Sequence, residues 1–155
     1  GGVLNPFDSW LLIRGIKTLS VRMDRHIENA NYLAQFLKGH EAIEKVYYPG
    51  FHDHPGYEIH KKQANGAGAI ISFVLKEGFN INEFFKGVKL ITLGESLGGV
   101  ESLISHPATM THASIPVEIR QEIGIVDNLI RLSVGIENKK DLAKDIEKAL
   151  NKSAL

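Results

Sequence analysis

Apolar residues near the start of the sequence recur every three or four positions, which is the spacing of one face of an α-helix. These residues are Trp10, Ile13, Ile16, Leu19, Met23, Ile27, Ala30, Leu33 and Leu37. Asn5 and Pro6 are suited to begin such a helix, and Gly39 is suited to end it. The pattern predicts one helix over 6–38, a rod of roughly 50 Å at about 1.5 Å per residue.

A helix of that length is longer than a small domain needs, and two arrangements remain open. It either crosses into another domain or subunit, or it kinks near Gly15 and wraps locally. In the first arrangement, part of the apolar face buries against a partner and forms an exposed apolar patch on the chain alone. We expect self-association or a partner chain to cover that patch.

Length and composition limit the class of protein. A chain of 155 residues has room for one ordinary hydrophobic core. Its 18 basic residues balance 18 acidic ones, so we expect no nucleic-acid partner and no anionic membrane partner. The sequence has no cysteine, which excludes disulfides and thiolate catalysis and is compatible with a reducing cytoplasm. The apolar stretch over 63–75 is too short to span a bilayer, and we expect no secretory signal.

Short strand and helix patterns alternate after the first helix, and few hairpin turns join them. Strands are predicted at 43–48, 69–75, 89–93 and 128–134, and helices at 58–63, 81–87, 114–122 and 138–150. This order predicts an α/β or α+β two-layer domain with helices on one face of a sheet.

Two segments carry residues that could bind a ligand. Side chains alternate between faces over 129–134, so Arg131 and Ser133 share one face of a strand. The Arg131 guanidinium either holds a carboxylate in its planar fork or is a solvated side chain on an open face. The segment over 94–102 places three glycines around Ser96, so it is either an anion-binding loop or a tight structural turn.

Histidines raise the question of a metal site. His52 and His54 flank Asp53, and His60 is nearby. Alternating histidines in a loop need not converge on one point, and no third ligand stands at a diagnostic spacing. We therefore expect no metal.

Five sequence blocks lie in order along nearly the whole chain. They are PFDSWLLIRGIKT at 6–18, RMDRH at 22–26, ESLGGVES at 95–102, HPATMTH at 106–112 and LIRLSVGIE at 129–137. Together they resemble the Cys/Met-metabolism (transsulfuration) family of pyridoxal-phosphate enzymes, and most closely its cystathionine γ-lyase and γ-synthase branches.

The resemblance implies a fold and a domain organisation. The chain is expected to be the small C-terminal domain of a fold-type I, aspartate aminotransferase-like enzyme, with a mainly antiparallel sheet over 39–155. The helix over 6–38 would be the bridge to a large cofactor-binding domain. Members of the family attach pyridoxal phosphate through a Schiff-base lysine in an upstream S-x-T-K segment, and this sequence has no such segment. We therefore expect the large domain to be missing, no cofactor-binding residue here, and no activity from these residues alone.

The resemblance also implies an activity for the intact enzyme. It would act on cystathionine or a related sulfur amino acid by β- or γ-elimination or by γ-replacement, and lyase and synthase chemistry both remain open. Arg131 is expected to hold the substrate α-carboxylate, and Ser96 to be a catalytic-site residue that lines the same pocket. Glu95 is expected to sense a distal ammonium. A homo-oligomer (a dimer of dimers) and a cytoplasmic location are also expected.

Two other classes of function remain as alternatives. One is a stand-alone binding or interaction domain that retains the fold without catalysis. The other is an esterase-like hydrolase built on Ser96 with His106 or His112. That hydrolase lacks the G-x-S-x-G turn and a convincing acid partner.

Overall fold

A five-stranded sheet organises the chain, and the computed structural model describes residues 2–155 of it. The strands are β1 (Ile43–Tyr47), β2 (Ile70–Leu75), β3 (Thr92–Leu93), β4 (Leu103–Ser105) and β5 (Leu129–Ser133). Their order across the sheet is β1-β2-β5-β4-β3. The β3–β4 pair is parallel and the other three pairs are antiparallel, so the sheet is mainly antiparallel.

Helices cover one face of this sheet. The helices are α1 (Pro6–Ile16), α2 (Leu19–Lys38), α3 (Tyr57–Gln63), α4 (Ile81–Gly87), α5 (Val117–Glu122) and α6 (Lys139–Ser153). α2 packs on β1, β2 and α6, and α6 packs on α4. The Phe84 ring of α4 meets the Phe73 ring of β2 edge-on, with 6.1 Å between centroids. The result is a two-layer α/β domain with its apolar core between sheet and helices.

The two faces of the sheet differ in character, as the alternation of side chains predicts. Ile130 and Leu132 of β5 are fully buried in the core under the helices. Arg131 and Ser133 project from the opposite face, where Arg131 is half-buried. The sheet therefore presents its polar residues away from the helical layer.

The predicted helix over 6–38 is two helices, because the helical conformation is interrupted at Lys17 and Thr18. The Gly15 carbonyl accepts from the Thr18 N–H at 3.4 Å and from Arg22 Nη1 at 2.9 Å. These donors replace the amide four residues on, so the helical ladder ends there. The kink near Gly15 is thus closer to the structure than one straight rod, but α1 does not wrap locally, since none of its residues is buried.

Two other predicted elements differ in extent, and one strand was not predicted. The strand expected over 89–93 is reduced to β3, because the Asp145 carboxylate of α6 accepts from the amides of Lys89, Leu90 and Ile91 at 2.9–3.1 Å. Those amides are no longer free for a β-ladder. The three residues of β4 gave no sequence pattern, since a strand that short shows no periodicity. The helix expected from 114 begins at 117, with no side-chain cap.

No helix among residues 2–155 combines the length and the apolar character that crossing a membrane requires.

Candidate functional site

Arg131 lies at the centre of the sheet face that points away from the helices. It is the middle residue of β5 and pairs with Ser72 of β2 on one side and with Ser105 of β4 on the other. Its Nη2 donates to the backbone carbonyl of Glu95 at 2.7 Å. The guanidinium is therefore held by a neutral acceptor and has further N–H donors available for an anion.

The loop over 94–102 passes beside this arginine. The Gly98 amide donates to Ser133 Oγ at 2.9 Å, and the Ile136 amide donates to the Val100 carbonyl at 2.9 Å. Gly98 has φ of +78°, a left-handed conformation that side chains other than glycine rarely adopt. The loop is thus fastened to β5 and to the chain that follows it.

A carboxylate–hydroxyl brace fixes the end of the same loop. Glu137 accepts from the Ser102 amide at 2.7 Å and from the Ser102 hydroxyl at 2.8 Å. Ser102 Oγ in turn accepts from the Gly135 amide at 2.8 Å. A Cβ at Gly135 would lie 2.4 Å from the Val100 carbonyl oxygen, so only glycine allows this approach. The loop therefore returns to a defined position next to β5.

Two buried side chains of α2 hold the segment after β5 from the helical side. His26 Nδ1 lies 2.6 Å from the Val134 carbonyl oxygen. The Asn29 side-chain amide donates to the carbonyls of Gly135 at 2.9 Å and Glu137 at 2.7 Å. Both faces of the sheet thus contribute to the geometry around Arg131.

The structure places the loop that carries Glu95 and Ser96 beside Arg131. Arg131 contacts Glu95 through the Glu95 backbone, and the side chains of Glu95 and Ser96 are exposed at the loop surface. Arg131 is thus in contact with the loop that carries Ser96. A groove of about 580 Å³ lies instead beside the edge strand β1, and none of these three residues lines it.

The histidines considered as metal ligands make hydrogen bonds with residues close to them in the sequence. His54 Nδ1 accepts from the Gly56 amide at 3.1 Å, and His60 Nε2 lies 2.8 Å from the Gly66 carbonyl oxygen. Within residues 2–155, no three metal-ligating side chains gather around one point.

His106 is also engaged away from Ser96. Its Nδ1 lies 2.7 Å from Thr109 Oγ1, and its Nε2 lies 2.7 Å from the Asp127 carbonyl oxygen. His112 lies 2.7 Å from the adjacent Thr111 hydroxyl. These contacts leave neither imidazole paired with Ser96 as a base.

Sequence reasoning missed the residues that hold the site in place. The period-two alternation of β5 places Ser133 on the face of Arg131, but it does not predict the contact of Ser133 with Gly98. No role was predicted for Ser102 or Glu137. No local pattern connects Ser102 with Glu137, because 35 positions separate them.

Comparison with known proteins gives consistent results. A family model described as "Cys/Met metabolism PLP-dependent enzyme" matches residues 1–151. A cystathionine beta-lyase of Lactococcus lactis subsp. cremoris is 57% identical over 152 residues, which cover 98% of this chain and 40% of the relative. A cystathionine gamma-lyase of Bacillus subtilis is 55% identical over 150 residues, which cover 97% and 40%. The chain thus spans about 40% of the length of these relatives.

A solved structure also matches the fold. The crystal structure of a cystathionine gamma-lyase from Lactobacillus plantarum, complexed with L-serine, superposes with a TM-score of 0.92 at 50% sequence identity. The match covers 97% of this chain and 40% of the other.

Proposed function

Because this chain belongs to the Cys/Met metabolism family of pyridoxal-phosphate-dependent enzymes, we propose that it is the C-terminal, substrate-facing part of a transsulfuration enzyme. The intact protein acts on cystathionine or a related sulfur amino acid by β- or γ-elimination or by γ-replacement. The observation that carries this proposal is Arg131, a guanidinium in mid-strand whose Nη2 is held by the carbonyl of a glycine-rich loop.

The groups around Arg131 suit a carboxylate rather than the cofactor. They are the Arg131 guanidinium and the loop over 94–102, and no lysine lies in that loop. Pyridoxal phosphate, when bound to the intact enzyme, supplies the electron sink for this class of reaction. We assign no residue of this chain to the cofactor, and we expect the residues that hold it in the rest of the protein.

Arg131 binds the α-carboxylate of the substrate in this proposal. A planar fork can donate two parallel hydrogen bonds to a carboxylate, and a hydrogen bond to a charged group contributes about 1.5–3 kcal/mol. Two-point binding also prevents rotation of the carboxylate about its axis. The bonds at Cα are thereby oriented for the chemistry, which contributes to rate as well as to affinity.

Ser96 and Glu95 line the approach to that carboxylate. Their side chains are exposed on the loop whose backbone holds the guanidinium. Ser96 contributes a hydroxyl next to the reacting centre. Glu95 contributes a negative charge that favours a substrate with an ammonium group at its far end, as cystathionine has.

The rest of the site comes from elsewhere in the intact protein. The Arg131 face of the sheet has no helical layer over it, and α1 presents apolar side chains to its surroundings. We assign the large cofactor-binding domain and a further subunit to these two surfaces, in a homo-oligomer.

Steady-state kinetics of the full-length protein with L-cystathionine test the proposal. We expect Arg131→Lys to lower kcat/KM about tenfold or more, because lysine retains the charge but loses the planar fork. Arg131→Ala is expected to lower it further, roughly a hundredfold, with the affinity for pyridoxal phosphate unchanged. Homocysteine as the released thiol would indicate β-elimination, and cysteine would indicate γ-elimination.

Arg25→Ala is the matched control, because Arg25 is an exposed arginine of α2 that pairs only with neighbouring Glu28. It should leave kcat/KM within about twofold of the wild type. Near-wild-type kcat/KM in Arg131→Ala would reject the carboxylate role. A full-length protein that turns over no sulfur amino acid would favour a binding domain without catalysis.

A further inference from the structure

The Arg131 side chain crosses the strand next to its own and passes over one residue of that strand. Arg131 begins on β5, and the carbonyl that it contacts belongs to Glu95, two residues beyond the end of β3. β4 lies between these two strands. Adjacent strands are about 4.8 Å apart, so the side chain and its hydrogen bond together cover roughly 9–10 Å across the strand in between.

The residue under this path is Ser105. It is the partner of Arg131 in the β4–β5 ladder, and paired residues of antiparallel strands project from the same face. The Gly94 amide donates to the Ile104 carbonyl at 2.9 Å, which brings the start of the loop to the level of Ser105. The guanidinium therefore extends from β5 over Ser105 to reach Glu95.

The Ser105 hydroxyl is unusual because it is buried without a partner. Ser105 is 1% exposed, and its Oγ makes no hydrogen bond with any described residue. A buried hydroxyl left unpaired lowers stability, whereas alanine, which lacks only the hydroxyl, does not have that cost. A hydroxyl that lowers stability here needs another reason to be present.

Arg131 has donors that match this free acceptor. It is half-buried and makes one hydrogen bond, from Nη2, which leaves its other N–H groups without a partner among residues 2–155. When a substrate and the rest of the enzyme cover this face, the guanidinium loses water as an acceptor. Its N–H groups that do not face the carboxylate then require acceptors from the protein.

We propose that Ser105 is a positioning residue for Arg131: its Oγ accepts a guanidinium N–H and holds the fork toward the substrate carboxylate. This inference rests on the proposed role of Arg131 as the carboxylate-binding residue. Ser105 itself touches neither the substrate nor the cofactor, because Arg131 and the loop over 94–102 lie above it. Its contribution is to hold the guanidinium at the correct angle.

The chain offers a matched control on the other side of the arginine. Ser72 of β2 pairs with Arg131 just as Ser105 does, on the same face of the sheet. The guanidinium leans toward Glu95, which is away from Ser72. Removal of the hydroxyl should therefore affect binding at position 105 and not at position 72.

Ser105→Ala and Ser72→Ala in the full-length protein test the inference with L-cystathionine. We expect Ser105→Ala to lower kcat/KM about tenfold, mainly through a higher KM, and Ser72→Ala to change it less than twofold. In an Arg131→Ala background, Ser105→Ala should have no further effect, because the hydroxyl acts only through the guanidinium. The thermal midpoint of Ser105→Ala should be unchanged or raised, since the variant loses an unpaired buried hydroxyl.

Three results would overturn the inference while Arg131→Ala remains harmful. They are an unchanged KM in Ser105→Ala, an equal loss in Ser72→Ala, and an undiminished loss from Ser105→Ala in the Arg131→Ala background. If Arg131→Ala is itself harmless, the proposed function of Arg131 fails first, and that result is distinguishable from failure at Ser105 alone.

Discussion

Tyr48 is the residue whose ionisation depends most on the fold. Its hydroxyl lies 3.0 Å from Asn31 Oδ1 and 3.1 Å from the Gly68 carbonyl oxygen, and the residue is buried. Burial raises the pKa of Tyr48 to about 12. An unfolded tyrosine ionises near pH ~10, so the native state binds its proton more tightly than the unfolded state does. The stability that follows is fully present below about pH 10 and is lost as the pH rises toward about 12.

An alkaline absorbance titration of the 155-residue chain checks this behaviour. Of the four tyrosines, we expect one to ionise late, with folding stability falling over the same range. Tyr48→Phe should remove the late step, and Tyr32→Phe should retain it because Tyr32 is exposed. Retention of the late step in Tyr48→Phe would assign it to another residue.

At the scale of elements, α1 is a helix whose apolar composition does not match its exposed surroundings. It is rich in large apolar residues, yet none of them is buried. The exposed ones are Phe7, Trp10, Leu11, Leu12, Ile13 and Ile16. Contiguous apolar surface of this kind is typical of a surface that another protein or domain covers. We therefore expect α1 to contact another domain or another subunit.

Sedimentation velocity tests that expectation on the chain alone. We expect the chain to self-associate at concentrations of tens of micromolar, and a Phe7→Ser/Trp10→Ser variant to be largely monomeric with the same thermal midpoint. The midpoint should not change, because neither side chain contributes to the core. Ile59→Ser, which removes an exposed apolar residue from α3, should not alter the association. A monomeric wild-type chain at high concentration would contradict the prediction.

Elements with a clear period were predictable from sequence, and those shaped by distant contacts were not. β2, β5 and α4 follow local patterns, and their bounds lie close to the predicted ones. The strand predicted over 89–93 is shortened to β3, because the Asp145 carboxylate of α6 accepts hydrogen bonds from the amides of residues 89–91. Asp145 lies more than fifty positions away in the sequence. The break between α1 and α2 depends on Arg22 reaching back to Gly15, which helical periodicity does not encode.

The candidate site shows the same division. The alternation in β5 was enough to place Arg131 and Ser133 on one face, and the glycines around Ser96 were enough to indicate a loop of close backbone contacts. That the loop meets Arg131 through the Glu95 carbonyl depends on the strand order β5-β4-β3. Strand order is a property of the whole sheet and has no local signature.

For the whole molecule, the central expectation is that these 155 residues do not suffice for catalysis. The chain has no S-x-T-K segment, and no residue in it is assigned to the cofactor. We expect the isolated chain neither to bind pyridoxal phosphate covalently at one site nor to turn over L-cystathionine. Borohydride reduction followed by peptide mass analysis measures the first, with the full-length protein as the positive control. Stoichiometric labelling of a single lysine in the isolated chain would contradict this expectation.

The hydrogen bond from Arg131 to the Glu95 carbonyl means that Nη2 already has an acceptor before any ligand arrives. A ligand oxygen that displaces the Glu95 carbonyl from this N–H gains only the difference in strength between the two hydrogen bonds. For an ionised carboxylate that difference is favourable, because attraction between opposite charges adds to a hydrogen bond whose donor is already charged. For a carboxamide or an ester it is close to zero, since one uncharged oxygen replaces another. The Glu95 carbonyl thus competes for one guanidinium N–H, and a carboxylate displaces it more readily than an uncharged analogue of an amino acid does.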